Sequence, residues 1–145
     1  MSTQAAARIA ASEFEVRTHG RGFIDLGDPL RSALHESGLR EGMALVFTRH
    51  TSCSLLISEN ADPEVRADLE RFFARLVPNG DPLFRHDAEG PDDMPAHVRA
   101  ALTGVSVSLP IRDGAYALGT WQGVYLWEHR SAPHARKVSV TIIGC

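Results

Sequence analysis

Residues 105–130 read VSVSLPIRDGAYALGTWQGVYLWEHR, and their pattern decides the fold class. VSVSLPI alternates apolar and polar side chains without a break, RDG turns the chain, and AYALGTWQGVYLWEHR carries a further strand interrupted by glycines. Period-two runs bounded by turn residues predict antiparallel strands with one buried face. RKVSVTIIG, residues 136–144, predicts one strand more. Upstream, GMALVFTRH and SLLISEN are β-rich runs; Ala44, Val46, Thr48 and His50 share one face of the first, which sets His50 at a strand end. EFEVRTH and FIDL flank GRG and predict a hairpin or a bulged pair of strands over residues 13–26.

Helical periodicity interrupts the strands three times. DPLRSALHESG offers Asp28 as N-cap, Pro29 at the first helical position and Gly38 as the stop, with Leu30, Ala33 and Leu34 on one stripe and His35 off it, in solvent. NADPEVRADLERFFARLVPNG places Val65, Leu69, Phe72, Phe73 and Leu76 on a single face, predicted to be core, behind an Asp62 cap and Pro63. MPAHVRAALTG predicts a short helix with Met94, Val98, Ala101 and Leu102 inward, His97 in its first turn and Gly104 at its end. The expected architecture is one α+β domain over residues 13–145, a largely antiparallel, sandwich-like sheet core with three helices, preceded by a flexible segment 1–12.

With 145 residues the chain suits a single core. A formal charge of −3 and the lack of any run of Lys and Arg argue against nucleic acid. No stretch approaches eighteen apolar residues and no signal-peptide pattern opens the chain, so a soluble, cytoplasmic protein without a membrane partner is expected. The two cysteines, Cys53 and Cys145, form neither a disulfide framework nor a thiolate metal motif, and Cys53 reads as a small buried thiol. A metal would rest on nitrogen and oxygen ligands.

Three stretches carry candidate chemistry. In FRHDAEGPDDMPAHVRAAL, residues 84–102, His86 and His97 bracket Asp87, Glu89, Asp92 and Asp93 just before a helix. Eleven residues between the histidines is no self-sufficient ligand spacing, but carboxylates at a helix N-terminus can cap backbone N–H groups or orient an imidazole. Asp92 or Asp93 as a simple helix cap is the alternative. In VYLWEHR, Glu128 follows the parity of Val124 and Leu126 and His129 that of Tyr125 and Trp127, so a regular strand cannot send both into one pocket. In LGTWQG, Gly119, Thr120 and Gly123 could let backbone amides approach an anion, or merely bend a strand.

The strings FTRHTSCSLLISENADPEVRADLERFF, DDMPAHVRAALTGVSVSLPI and GAYALGTWQGVYLWEHR, in this order, resemble the YjbQ family, named for a secondary thiamine-phosphate synthase activity; the likeness spans about residues 13–144. The resemblance implies a homotrimer with a polar pocket near the subunit boundary. It carries His50, in the HTS string, into that pocket, and prefers Glu128 to His129 as the functional residue. His86, His97 and His50 would ligate a divalent ion, zinc or magnesium, with His129 a lesser third ligand. Asn60 would face the pocket mouth, Asp62 would cap a helix, and Gly119, Thr120, Gln122 and Asp93 would bind substrate. The implied reaction joins hydroxymethylpyrimidine diphosphate to thiazole phosphate with loss of pyrophosphate, so the partner is a small phosphorylated metabolite. His50, Glu128, Asn60 and Arg49 would serve that chemistry, with Arg49 or Arg130 stabilising the departing charge. Two other readings are a metal-dependent hydrolase in which Glu128 activates water, and a non-catalytic trimeric metabolite-binding module. The sequence departs from the family pattern at Cys53, commonly Ala, at Trp127, often Cys, and at Asp93, where many relatives carry Asn. The last change adds negative charge beside His97. For the trimer, Trp121, Tyr125 or Trp127 would supply exposed aromatic surface.

Overall fold

The computed structural model describes residues 6–145. Eight strands and three helices follow in the order β1 (Arg8–Arg17), β2 (Gly22–Asp25), α1 (Gly27–Ser37), β3 (Gly42–Phe47), β4 (Cys53–Glu59), α2 (Pro63–Leu76), α3 (Asp93–Thr103), β5 (Ser106–Arg112), β6 (Ala115–Tyr116), β7 (Gln122–Glu128) and β8 (Ala135–Gly144). They make two antiparallel sheets, one of five strands in the order β1-β8-β3-β5-β6 and one of three in the order β2-β7-β4. The α+β class is as the alternating runs predict.

The alternation of each strand divides its side chains between core and outside. Ala44 and Val46 of β3, Leu109 and Ile111 of β5, and Val138, Val140 and Ile142 of β8 point inward from the large sheet. They meet Cys53 and Leu55 of β4, Val124 and Leu126 of β7, and Leu30, Ala33 and Leu34 of α1. At the corner where β3 approaches β8, Gly42 pairs with Gly144, and a Cβ on Gly144 would lie 1.9 Å from the Glu41 carbonyl oxygen. Only glycine permits that approach.

Several expectations are corrected. Residues 13–26 do not form a hairpin: β1 pairs with β8 in the large sheet and β2 with β7 in the small one. Periodicity marks strands but not partners, and the GRG segment carries the chain from one sheet to the other. The expected flexible segment 1–12 gives way to strand from Arg8, because β8 is long enough to pair with β1 as far as Arg8↔Gly144; residues 1–5 lie outside the described residues. Asp28 does not cap α1, which has Leu26 at its N-cap; the Asp25 carboxylate takes the Gly27 N–H instead, at 2.7 Å. Asp62 does cap α2, accepting from the Glu64 N–H at 2.9 Å.

The apolar stripe of α2 is not core: none of its residues is fully buried, and Phe72 and Leu76 are half exposed. Phe73 alone of the aromatic pair packs edge-on against Trp127. In α3 the buried face is Asp93, Pro95, Ala96, Arg99 and Ala100, whereas Leu102 is exposed and Met94 and Val98 are only half-buried. On this inward face Asp93 meets His86, His97 and Arg130, and Arg99 donates to the Val77 carbonyl. Tyr125 and Trp127 are buried under α2 and Phe23, which leaves only Trp121 of the three expected aromatic residues exposed. The extensive bare apolar surface lies instead on the outer face of the five-stranded sheet, where Ile9, Met43, Leu45, Phe47 and Ile143 are open to solvent. No helix is long and apolar enough to cross a membrane among the described residues.

Candidate functional site

Asp93 and His97 stand four residues apart on α3, a spacing that puts both on one helix face. The segment leading to α3 returns His86 to the same point. His86 Nε2 lies 2.7 Å from Asp93 Oδ2 and His97 Nε2 lies 3.3 Å from Asp93 Oδ1. Ligand atoms of the three fall within 4.8 Å of one another. The ring of His97 is oriented by its Nδ1–H, which donates to the Thr51 carbonyl at 2.9 Å and leaves Nε2 facing Asp93. Such a backbone bond is the usual outer support of a metal-binding imidazole.

Arg130 is the fourth member. Its Nη1 lies 3.0 Å from Asp93 Oδ1 and its Nε donates to Asp92 Oδ2 at 3.0 Å. Asp92 sits at the N-cap of α3 but makes no side-chain capping bond; its carboxylate binds Arg130 and the Ser131 N–H. Burial works against its charge, yet those bonds outweigh burial and hold its pKa below the ordinary value.

A cavity of about 500 Å³ opens beside His97, lined also by Phe47, Arg49, His50, Thr51 and Val105. His50 Nε2 accepts the Lys137 N–H at 2.9 Å, so the neutral ring carries its proton on Nδ1. Burial, then the charge of Arg136, lowers its pKa from the ordinary histidine value. His50 has one nitrogen already occupied and lies outside the His86, Asp93 and His97 cluster in which it was expected as a third ligand. Arg49 lines the same cavity and pairs at the surface with Glu13.

Glu128 and His129 leave β7 toward different partners. Glu128 accepts from Thr18 at 2.9 Å, from the Arg130 N–H at 3.0 Å and from Arg136 Nε at 2.7 Å, and it is fully buried. Burial raises its pKa, but Arg136 first and the other donors with it more than reverse this. Each of its oxygens accepts two hydrogen bonds, which leaves no lone pair turned toward a water in this arrangement. His129 packs behind the small sheet against Trp127, with Nε2 on Ser54. Burial, then Arg99, drives its pKa down to about 3. It stands outside the His86, Asp93 and His97 cluster.

Asn60, Gly119, Thr120 and Gln122 gather elsewhere. The register of β4 on β7 runs from Cys53↔Glu128 at one end to Glu59↔Gln122 at the other, six residue steps or about 20 Å along the strands. There the Gly119 N–H donates to Gln122 Oε1 at 2.8 Å, and Asn60 Nδ2 donates to the Thr120 and Gln122 carbonyls. The Gly119 N–H of the expected anion cradle is thus taken by Gln122, and the segment lies apart from the histidines. The residues that sequence reasoning passed over are Arg136 and Thr18, which fix Glu128. One signal was available: Arg136 shares the inward parity of Val138 and Val140, an odd place for a charge without a buried partner.

The fold and this site geometry define a protein class that comparison with known proteins identifies. The family profile described as UPF0047 protein YjbQ-like matches residues 12–145, and the chain belongs to that family. A UPF0047 protein of Synechocystis is 50% identical over 129 residues, 89% of this chain and 88% of its own. The YjbQ protein of Salmonella typhimurium is 45% identical over 127 residues, 86% of this chain and 90% of its own. Among solved structures, a YjbQ/UPF0047 family protein of Clostridium acetobutylicum superimposes with a TM-score of 0.82 at 39% identity, covering 90% of this chain and 98% of that one. A YbjQ-like protein of Sulfolobus solfataricus shares the fold at a TM-score of 0.88 and 21% identity, covering 97% and 100%.

Two consequences of the buried groups are testable. Replacing Arg136 by Met strands the Glu128 carboxylate, and unfolding in urea should show a loss of about 3–5 kcal/mol; a loss below about 1 kcal/mol would mean that the pair contributes little. For His129, the folded pKa of about 3 lies below the unfolded value of 6.5, so between these pH values only the unfolded chain takes up the proton. Stability is complete above pH 6.5 and declines as pH falls toward 3, by up to about 1.4 kcal/mol per pH unit from this group. His129→Gln should flatten that slope between pH 6.5 and 5, above the range in which carboxylates titrate.

Proposed function

We propose that the chain is a metal-dependent transferase acting on small phosphorylated metabolites, with the thiamine-phosphate synthase reaction implied by the family resemblance as its chemistry. In that reaction the thiazole nitrogen lone pair forms a bond to the methylene carbon of hydroxymethylpyrimidine diphosphate. The C–O electron pair departs with pyrophosphate, and the nitrogen becomes cationic. No proton is removed, so what the step needs is stabilisation of the leaving charge.

One observation carries this reading: two imidazoles and the Asp93 carboxylate converge within 4.8 Å of one another beside a cavity lined by Arg49 and His50. Arg130 ties Asp92 and Asp93, Arg136 ties Glu128, and His50 lines the cavity as a neutral donor. With Glu128 fully paired, hydrolysis would rest on ionisation of water by the ion itself and not on a carboxylate base. The donor set of two imidazoles and a carboxylate suits zinc or a similar transition metal better than magnesium. For ion–ligand distances near 2.1 Å, tetrahedral ligand atoms lie about 3.4 Å apart, close to the 3.3 Å between His97 and Asp93 and wider than the 2.7 Å hydrogen bond between His86 and Asp93 that an ion would replace. His86, Asp93 and His97 would hold the ion, which would supply Lewis-acid charge toward phosphate oxygens. The apolar wall of Phe47 and Val105 suits a ring.

The assembly belonging to this reading is a homotrimer. Rows across the outer sheet face place Ile9 beside Ile143 and Met43, and Ala11 beside Thr141 and Leu45. The rows of Ile9 and Ala11 carry no charged side chain, while Glu13, Glu15 and Lys137 occupy the same face further along the strands; an apolar end of this kind favours a copy of the same chain, and Phe47 carries it to the rim of the cavity.

Elemental analysis should find one equivalent of transition metal per chain in the wild type and none in His86→Ala or His97→Ala. Pyrophosphate should be released from hydroxymethylpyrimidine diphosphate only when thiazole phosphate is present. Release without the second substrate would overturn the transferase reading in favour of hydrolysis. Light scattering should give about three times the 15.8 kDa chain mass. Leu45→Asp should reduce it to one chain with its circular dichroism retained, and a wild type that is already monomeric overturns the trimer.

A further inference from the structure

Four buried side-chain polar atoms lack a hydrogen-bond partner among the described residues: Nε of Arg21, Nε and Nη1 of Arg99, and Nδ1 of His129. All are nitrogens, and their residues belong to one neighbourhood between α3, α2 and the small sheet. Arg21 Nη2 donates to Glu70 Oε2 at 2.9 Å, and Glu70 Oε1 takes the Trp127 indole N–H. The Trp127 ring lies 4.8 Å from His129, whose Nε2 meets Ser54. Ser54 meets Thr103, which donates to the Arg99 carbonyl at 2.7 Å and so returns the chain of contacts to α3.

Arg99 is wholly buried, and its only side-chain hydrogen bond runs from Nη2 to the Val77 carbonyl at 2.6 Å. Val77 closes α2, whose C-terminal end offers a partial negative charge of roughly half a unit. Glu70, the nearest carboxylate in this chain of contacts, is committed to Arg21 and Trp127. Asp92, whose charge also reaches Arg99, is committed to Arg130 and the Ser131 N–H, so neither carboxylate pairs with Arg99, and a guanidinium cannot shed its proton to escape that. Burial, and then the neighbouring Arg21 charge, pushes the Arg99 pKa down to about 10. Water would satisfy the N–H groups but supplies no counter-charge, and a buried charge without a partner is costly.

We propose that this cluster binds a small monovalent inorganic anion of the halide class, chloride being the ion tested, held by Arg99 and Arg21 beneath α3. The enclosure excludes larger anions, since Arg99 and His129 are inaccessible and no organic body could follow a phosphate or carboxylate group inside. Arg99 shares α3 with Asp93 and His97, on the buried side of that helix, and the bound ion therefore fixes the helix that presents two members of the histidine cluster. The inference stands independently of the transferase reading.

Two measurements on the wild-type protein test it. Crystals soaked in bromide should show an anomalous peak in contact with an Arg99 nitrogen. Thermal unfolding with chloride exchanged for gluconate at constant ionic strength should show a midpoint rising by about 4 °C for each tenfold increase above the dissociation constant. Arg99→Met should abolish the chloride dependence; should that variant not fold, the two wild-type measurements decide. Water alone at Arg99 overturns the proposal, as does a bromide peak without chloride-specific stabilisation, which would mark an adventitious ion only.

Discussion

The buried ion pair between Glu128 and Arg136 is the constraint around which the two sheets are arranged. Glu128 ends β7 of the small sheet and Arg136 lies near the start of β8 in the large one, so the pair ties the layers together at one end of the core. The same carboxylate takes the Thr18 hydroxyl just beyond β1, and the same guanidinium reaches the Ser52 hydroxyl just before β4. Four chain segments converge on two charges. Charges this deep are tolerable only when nearly every lone pair and N–H is occupied, and the convergence of segments is what occupies them.

From that clamp the site inherits its geometry through the backbone. Ser52 follows Thr51, whose carbonyl orients His97, and Lys137 follows Arg136 and donates its N–H to His50. Each imidazole is held by a main-chain group at one nitrogen, so which nitrogen remains available is settled by the fold. His97 retains Nε2 toward Asp93, and His50 retains Nδ1–H as a donor. A histidine placed by its own rotamer alone would lose this distinction, and with it the separation between a metal-binding ring and a neutral hydrogen-bond donor.

Local elements were largely legible in the amino-acid order because they depend on local chemistry. Asp62 and Pro63 announce α2, Gly38 ends α1 in a left-handed conformation, and VSVSLPI alternates as β5 does. What sequence could not disclose was which surfaces meet. EFEVRTH and FIDL read as neighbours, yet they join different sheets, since pairing depends on strands more than a hundred residues away. The stripe on α2 announced a core that a single chain does not provide, whereas α3 hid a buried arginine within an ordinary helical pattern. At the site, the joining of His86 to His97 was suggested by the acidic loop, but the carboxylate that unites them was one of four candidates. Only the i, i+4 relation of Asp93 to His97 singles it out.

The separation of the LGTWQG segment from the histidines bears on how family resemblance translates into chemistry. Resemblance places both in one pocket, but within one chain they stand at opposite ends of β4 and β7, and the Gly119 N–H that looked ready to receive an anion already donates to Gln122. A rigid sheet cannot shorten that distance. If these residues share a site with His86 and His97, the second contributor must be another copy of the chain, and the trimer becomes a condition of the chemistry. If the chain acts alone, Gly119, Thr120 and Gln122 are a strand bend whose side chains satisfy its own backbone, and the site consists of the histidine cluster, Arg130 and the cavity beside His50.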